Sequence, residues 1–332
     1  MKLSYQGETV EVFTMNHRTA EPWKDIQEVV SLSDKHGLSG VLYFEGNDVA
    51  ISPWLAGQFT FTSSPTMSPI VAVNPAFMHP FTAAKMVSGF AVMYGRRTYL
   101  NMITGTALSY LEALAANLSH DDRYLRLQEY AEIIRALFEA QGQPVSYDGQ
   151  YYKLENAKLE VQLPRELHPE FFIAGQSEGA IRTAKAIDAC HMCMLSAGLA
   201  EALPEGTKGM HYGVLARPTQ EEAWEAAQQI FPPDPRGQRV QAMSMANTDG
   251  EWKQNLYAAA KQPASTTGFW MEPFKNFKAD RPYFVGSYEQ AGELLAKLVR
   301  KGVRRIIIDF PGKEEGYEHT GKAFQAAQAM LG

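Results

Sequence analysis

Gly95-Arg96-Arg97-Thr98-Tyr99-Leu100-Asn101-Met102-Ile103-Thr104-Gly105 is the stretch whose reading decides the fold. Gly95 closes the apolar run Pro80 to Tyr94, because glycine adopts the left-handed conformation that ends a helix without steric penalty. Arg97 to Ile103 then carries β-branched and aromatic residues suited to a strand. Asn101 and Thr104 stand at its carboxyl end, where a parallel barrel keeps its chemistry.

Outward from this helix–strand junction, the same alternation fills the chain. Upstream lie a strand at Val10 to Met15, a helix from Glu21-Pro22-Trp23 to about His36 stopped by Gly37, a strand at Gly40 to Phe44, a short helix at Pro53 to Phe61 and a strand at Ile70 to Val73. Downstream, Asp121 to Ala140 places apolar residues at a helical period, and Asp148-Gly149 between two Tyr-rich runs signals a hairpin. Strands follow at Phe171 to Ala174, Cys190 to Leu195, Tyr212 to Ala216 and Arg304 to Phe310, with helices at Ser177 to Ile187, from Thr219 onward, and after Phe310. Strands that are apolar rather than alternating, each followed by a helix, predict an α/β fold: a (β/α)8 TIM barrel formed by the whole chain, 1–332, as a single domain. Insertions are expected at about 106–120, 142–168 and 231–283. The last is rich in Pro, Gly, Asn and Lys yet holds Trp252, Phe269, Trp270, Phe274 and Phe277; it reads as a long loop acting as a lid. An open doubly wound sheet would carry a glycine-rich turn after its first strand, and Phe13-Thr14-Met15-Asn16-His17-Arg18 has no glycine.

Composition sets broad limits. A 45% hydrophobic chain of 332 residues can bury a large core, and a net charge of -6 without any basic run argues against nucleic acid as a partner. No stretch reaches the roughly 20 apolar residues of a membrane span, so a cytoplasmic protein is expected. The two cysteines stand in Cys190-His191-Met192-Cys193. A redox pair, part of a zinc site with His191, and small core residues are all conceivable. With no second ligand cluster, and with a strand sending residues three apart to opposite faces, the pair reads as core and no metal is expected.

The ends of the predicted strands supply a list of polar residues: Asn16, His17, Glu45, Asn47, Asn74, Asn101, Thr104, Gly175, Gln176, Ser177, Arg217 and Asp309. It lacks a glycosidase carboxylate pair and a Gly-x-Ser-x-Gly elbow. Amides and hydroxyls suit the edge of a heteroaromatic ring. Ala174-Gly175-Gln176-Ser177 combines a strand-end glycine with a helix cap, which serves either as a plain cap or as an anion site. Asp122-Arg123-Tyr124 opens another helix; Arg123 reads as a phosphate partner or as a solvated side chain beside a core tyrosine.

Several of these segments, in this order, resemble bacterial-luciferase-like flavin-dependent monooxygenases, especially the alkanesulfonate monooxygenase branch. Gly95 to Gly105 is similar to that family's Gly-Arg-…-Asn-x-Val-Thr-Gly strand. Asn74 to Pro80 is similar to its strand-three exit, and Asp122-Arg123-Tyr124 to its Asp/Glu-Arg-Tyr element. Asp148 to Tyr152 resembles its hairpin, Ala174 to Ser177 its phosphate segment, and Glu221 to Trp224 the helix after strand seven. The resemblance implies a two-component enzyme using reduced FMN (FMNH2) from a separate NAD(P)H:flavin reductase. O2 would form a flavin C4a-(hydro)peroxide that oxidises a small organic substrate, in a protein that is commonly a homodimer. By matching position, Asn101 and Thr104 would lie near the flavin ring, Tyr124, Gln176 and Ser177 would hold the phosphate, and Asn74 would lie near flavin or substrate. Alternatives are a deazaflavin- or flavin-dependent hydride-transfer enzyme and a non-catalytic flavin-binding barrel. Departures matter as well. The Arg and His that the sulfonate branch carries two residues apart on strand seven find only His211 and Gly213 here. Phe310 stands where a Tyr is expected, and the cysteine and histidine after strand two are absent from Phe44 to Ile51. His17 and His211 are the histidines left as catalytic proton donors.

Overall fold

In a computed structural model of the chain, residues 1–16, 20–105, 107–196, 203, 207–261 and 268–332 are described. In chain order the elements are β1 (Leu3–Tyr5), β2 (Glu8–Met15), α1 (Pro22–Lys35), β3 (Gly40–Tyr43), α2 (Pro53–Ser63), β4 (Ile70–Val73), α3 (Pro80–Tyr94), β5 (Tyr99–Met102), α4 (Leu108–Ala113) and α5 (His120–Glu139). They continue with β6 (Val145–Asp148), β7 (Lys153–Ala157), β8 (Glu170–Ile173), α6 (Glu178–Ala186), β9 (Cys190–Met194), β10 (Gly209–Arg217), α7 (Gln220–Ile230), α8 (Pro235–Ala246), α9 (Glu251–Ala260), β11 (Phe269–Trp270), α10 (Glu272–Lys275), β12 (Tyr283–Ser287), α11 (Tyr288–Arg300), β13 (Arg305–Ile308) and α12 (Glu314–Leu331). The strand order β2-β3-β4-β5-β8-β9-β10, with β13 pairing both β10 and β2, is that of a (β/α)8 barrel. No helix among the described residues is long and apolar enough to cross a membrane.

The chain divides into two compact units, one from Leu42 to His191 and the other from Met1–Val41 with Met192–Gly332. In the first, β4 pairs in parallel with β3 and β5, and β5 with β8. All four residues of β4 are buried, as expected of a parallel strand covered on both faces. Leu127, Tyr130, Ile133, Ile134 and Leu137 bury one face of α5 in a core that includes Val71, Val73, Leu100 and Ile173. The helix ends obey simple chemistry. Pro80 opens α3 behind His79, whose ring nitrogen accepts the Phe81 N–H, and Gly95 closes the helix at φ 62°. The expected hairpin forms as β6 and β7.

In the second unit β13 pairs in parallel with β2 and with the first half of β10. The second half of β10 pairs with β12 instead, in the register Gly213↔Tyr283 to Arg217↔Ser287. The core here is built from Ile306 and Ile308, from Leu295, Leu298 and Val299 of α11, and from Tyr317 and Phe324 of α12. β1 folds back antiparallel on β2.

Three expectations change. Strand seven begins at Gly209, so His211 lies within it. Between 283 and 304 an additional strand, β12, and α11 intervene; α11 carries a Ser287–Gln290 capping box. The segment 231–283, read as a long loop, folds over most of its described length into α8, α9, β11 and α10, with Phe274 and Trp270 buried. Asp234 caps α8 and Pro235 follows at its first turn, which outweighs the low helix propensity of a Pro- and Gly-containing stretch. Both cysteines are buried.

Candidate active site

The Leu42–His191 unit gathers most of the residues expected to hold a cofactor. β8 ends at Ile173, and Ser177 then caps α6 by accepting the Ala180 N–H at 3.2 Å. The other N–H groups of the first turn have no partner within the helix and carry its positive dipole end. Gly175 lies between α6 and α5: a Cβ built there would sit 2.5 Å from the Tyr124 hydroxyl and 2.5 Å from the Ala180 methyl. Only glycine permits that approach, so Gly175, Ser177 and Tyr124 converge on one helix N-terminus. Gln176 is half-buried between them. His191, read from the sequence only as a conceivable zinc ligand, donates its Nε2–H to the Gly175 carbonyl at 2.7 Å and steadies the turn.

A second group forms where β4 and β5 end. Asn74 Oδ1 accepts the Ala76 N–H at 3.0 Å, and its amide nitrogen faces Gly105, 3.2 Å from where a Cβ would be. Gly105 has φ +76°, a further reason for glycine at this position. Asn74, Pro75, Thr104, Leu111, Arg123 and Arg126 line a small recess open to solvent. Arg123 is buried, contrary to the solvated alternative, and donates to the Leu118 carbonyl at 3.1 Å. Arg126 donates to the Pro75 carbonyl at 2.7 Å and to the Tyr152 hydroxyl at 3.0 Å. Asn101 is half-buried on β5. Asn47 instead donates to the Tyr110 carbonyl, and Glu45 is half-buried, where desolvation raises its carboxyl above the ordinary range.

The other unit holds a cluster that the sequence disclosed only in part. Asp309, just past β13, pairs with Arg281 at 2.7 Å, both side chains being 5% exposed or less. The second carboxylate oxygen of Asp309 accepts the Tyr283 hydroxyl. Arg281 also touches the Met15 sulfur, and His211 Nε2 lies 3.3 Å from that sulfur. Tyr283 explains the residue at 213: a Cβ there would lie 2.4 Å from the tyrosine ring, so the space that a strand-seven side chain would fill belongs to β12. Arg281, the arginine of this cluster, comes from a segment read as loop. Burial pushes the His211 imidazole down to about 3; the Arg281 charge adds to this and Asp309 opposes it. His211, expected to donate a proton, is therefore neutral near pH 7 and a poor acid there. His17 lies outside the described residues. Asn16 is described, and its side-chain oxygen has no partner among the described residues. Arg217 donates to the Ala216 carbonyl. Among the described residues no three His, Cys, Asp or Glu side chains gather as a metal site.

Residues 9–305 match the model of the luciferase-like monooxygenase family. The chain belongs to this family. Among its relatives is the 4-(γ-L-glutamylamino)butanoyl-[BtrI acyl-carrier protein] monooxygenase BtrO of Niallia circulans, 29% identical over 309 residues that make up 89% of each chain. The fold is that of the EDTA monooxygenase EmoA from Chelativorans sp. BNC1, with a TM-score of 0.73 at 15% identity, covering 97% of this chain and 93% of the other. It also matches an F420-dependent secondary alcohol dehydrogenase, with a TM-score of 0.64 at 14% identity over 96% and 98% of the two chains. The chain is accordingly a luciferase-like monooxygenase on a (β/α)8 barrel.

Proposed function

We propose that this luciferase-like monooxygenase is the oxygenating half of a two-component system. It takes reduced FMN from a separate NAD(P)H:flavin reductase and uses O2 to oxidise a small organic group. The observation that carries this proposal is the convergence of Gly175, Ser177 and Tyr124 at the N-terminus of α6. A dianionic phosphate there meets first-turn N–H groups, a tyrosine hydroxyl and backbone left open by the missing Cβ. The donor set fits FMN: Tyr124, Gly175, Gln176 and Ser177 hold the phosphate, while Asn74, Asn101 and Thr104 offer amides and a hydroxyl to the ring edge. Reduced flavin, when bound, supplies the electrons that activate O2. The chain's own residues bind it, orient its ring and exclude water. With His211 held neutral, His17 is the histidine to test as proton donor. In this proposal the chain works as one barrel domain, in a cytoplasmic homodimer.

The substrate class we propose is an acyl group tethered to a carrier protein, as in the name of the Niallia circulans relative. A second reading, hydride transfer with the deazaflavin F420, is favoured by the dehydrogenase of the same fold. Deazaflavins carry carbon in place of the flavin N5 and are poor partners for O2, so the two readings separate cleanly. Parallel anaerobic titrations with reduced FMN and F420 test them. Tighter binding of reduced FMN, followed by O2 consumption on aeration, supports the proposal; tighter binding of F420 with no oxygen reactivity overturns it.

A further inference from the structure

The helix α8 shows the solvent an unusual face. Arg236, Arg239, Val240 and Met243 fall at i, i+3, i+4 and i+7, which places them in one stripe, and all four are exposed. Met243 is 73% exposed and Val240 37%. Gly237 and Gln241, on a neighbouring flank of the helix, are buried. Gly237 packs where a Cβ would lie 2.1 Å from the Asn276 carbonyl, and Gln238 donates to the Asn276 side chain at 3.1 Å. The stripe thus mixes aliphatic and guanidinium groups.

Its charge is out of keeping with the chain. The protein carries -6 overall, yet α8 has two arginines and no carboxylate. The nearest acid in sequence, Asp234, is committed to the helix N-terminus through the Arg236 and Gly237 N–H groups and to Lys278 at 2.9 Å. Among the described residues neither arginine side chain of α8 makes an ion pair. Arginines flanking methionine and valine on one helix face suit an acidic helix that carries apolar residues of its own.

Resting on the carrier-bound substrate proposed above, we infer that the Arg236–Arg239–Val240–Met243 face of α8 docks the acidic recognition helix of an acyl-carrier protein. The arginines meet the carrier's carboxylates, and Val240 and Met243 meet the apolar residues between them. The contact steers the carrier by charge and weakens as salt screens it.

The test titrates a fluorescein-labelled bacterial holo acyl-carrier protein into the full chain and follows anisotropy at low and at physiological salt. Wild type is expected to bind, more weakly in higher salt. Arg236→Glu with Arg239→Glu is expected to weaken binding by about tenfold or more, while Arg236→Lys with Arg239→Lys retains most of it. FMN titrations on the same samples report on the flavin proposal separately, and both double variants should bind FMN as wild type does. Wild type that binds FMN but no carrier protein overturns the docking proposal together with the carrier-bound substrate, and leaves the flavin proposal standing. A glutamate variant that binds the carrier within twofold of wild type overturns the docking proposal alone. A glutamate variant that turns a dimer into a monomer by light scattering also overturns it, by assigning the face to a second copy of the chain.

Discussion

Replacing Gly175 by Ala probes the proposed phosphate cradle at its tightest point. The new methyl would stand 2.5 Å from both the Tyr124 oxygen and the Ala180 methyl, whereas ordinary contact begins near 3.4 Å. About 1 Å must open on two sides at once, and neither neighbour is the end of a long flexible chain. Overpacking of this kind costs about 1–3 kcal/mol. If the turn relieves it by moving away from Tyr124, the phosphate loses that geometry, and the FMN dissociation constant rises by about 5- to 150-fold. Quenching of flavin fluorescence reads this directly, with riboflavin as the control because it shares the ring and lacks the phosphate. Riboflavin affinity should change by no more than about twofold. Circular dichroism and a urea midpoint establish that the variant is folded. An unchanged FMN constant in a folded Gly175→Ala protein, or equal losses for FMN and riboflavin, would refute the assignment of this turn to the phosphate.

Tyr124→Phe removes a hydroxyl without changing the ring's packing; a hydrogen bond to a charged group is worth about 1.5–3 kcal/mol, so FMN should weaken by about 10- to 150-fold in the same titration with riboflavin unmoved. Arg281→Met or Asp309→Asn alone strands a buried charge or its partner and should cost about 3–5 kcal/mol in urea unfolding; the double variant should cost less than the sum, by about 1–3 kcal/mol, and simple additivity would contradict the pairing. His211 titrates at about 3 when folded against 6.5 for a free imidazole, so the folded state binds fewer protons than the unfolded one below neutrality. Its contribution is fully present above about pH 6.5 and is lost as pH falls toward about 3; the His211 imidazole resonance should stay fixed from about pH 5 to pH 8, and a midpoint near 6.5 would contradict its burial.

What could be read in advance was set by local chemistry. β4 and α3 were legible to the residue because an apolar run, a Pro at a helix start and a Gly at its end all act within a few positions. The Ser177 cap of α6 was legible for the same reason: a serine just before a helix accepts a first-turn N–H. The convergence of Tyr124 and His191 on that turn was not legible in the same way, because Tyr124 comes from a helix 51 residues before Gly175 and His191 from the following strand. Arg281 was missed outright. It sits in a Pro- and Lys-containing stretch whose composition reads as loop, and its meaning depends on Asp309 and Tyr283, to which only tertiary pairing leads. β12 was hidden by arithmetic, since the barrel's strand count was already complete without it. The signals of α8 and α11 were present as Asp234-Pro235 and as the Ser287–Gln290 box, but propensity and composition spoke more loudly than two capping residues.

In the proposed function this chain holds reduced FMN and directs it toward O2. The most direct measurement saturates the protein with reduced FMN under anaerobic conditions and then mixes it rapidly with oxygenated buffer, following flavin absorbance. Tight binding is expected, with a transient species distinct from both reduced and oxidised flavin, slower to decay than for free reduced FMN and weakened in Gly175→Ala. Reoxidation indistinguishable from that of free reduced FMN, at protein concentrations that saturate binding, would contradict it.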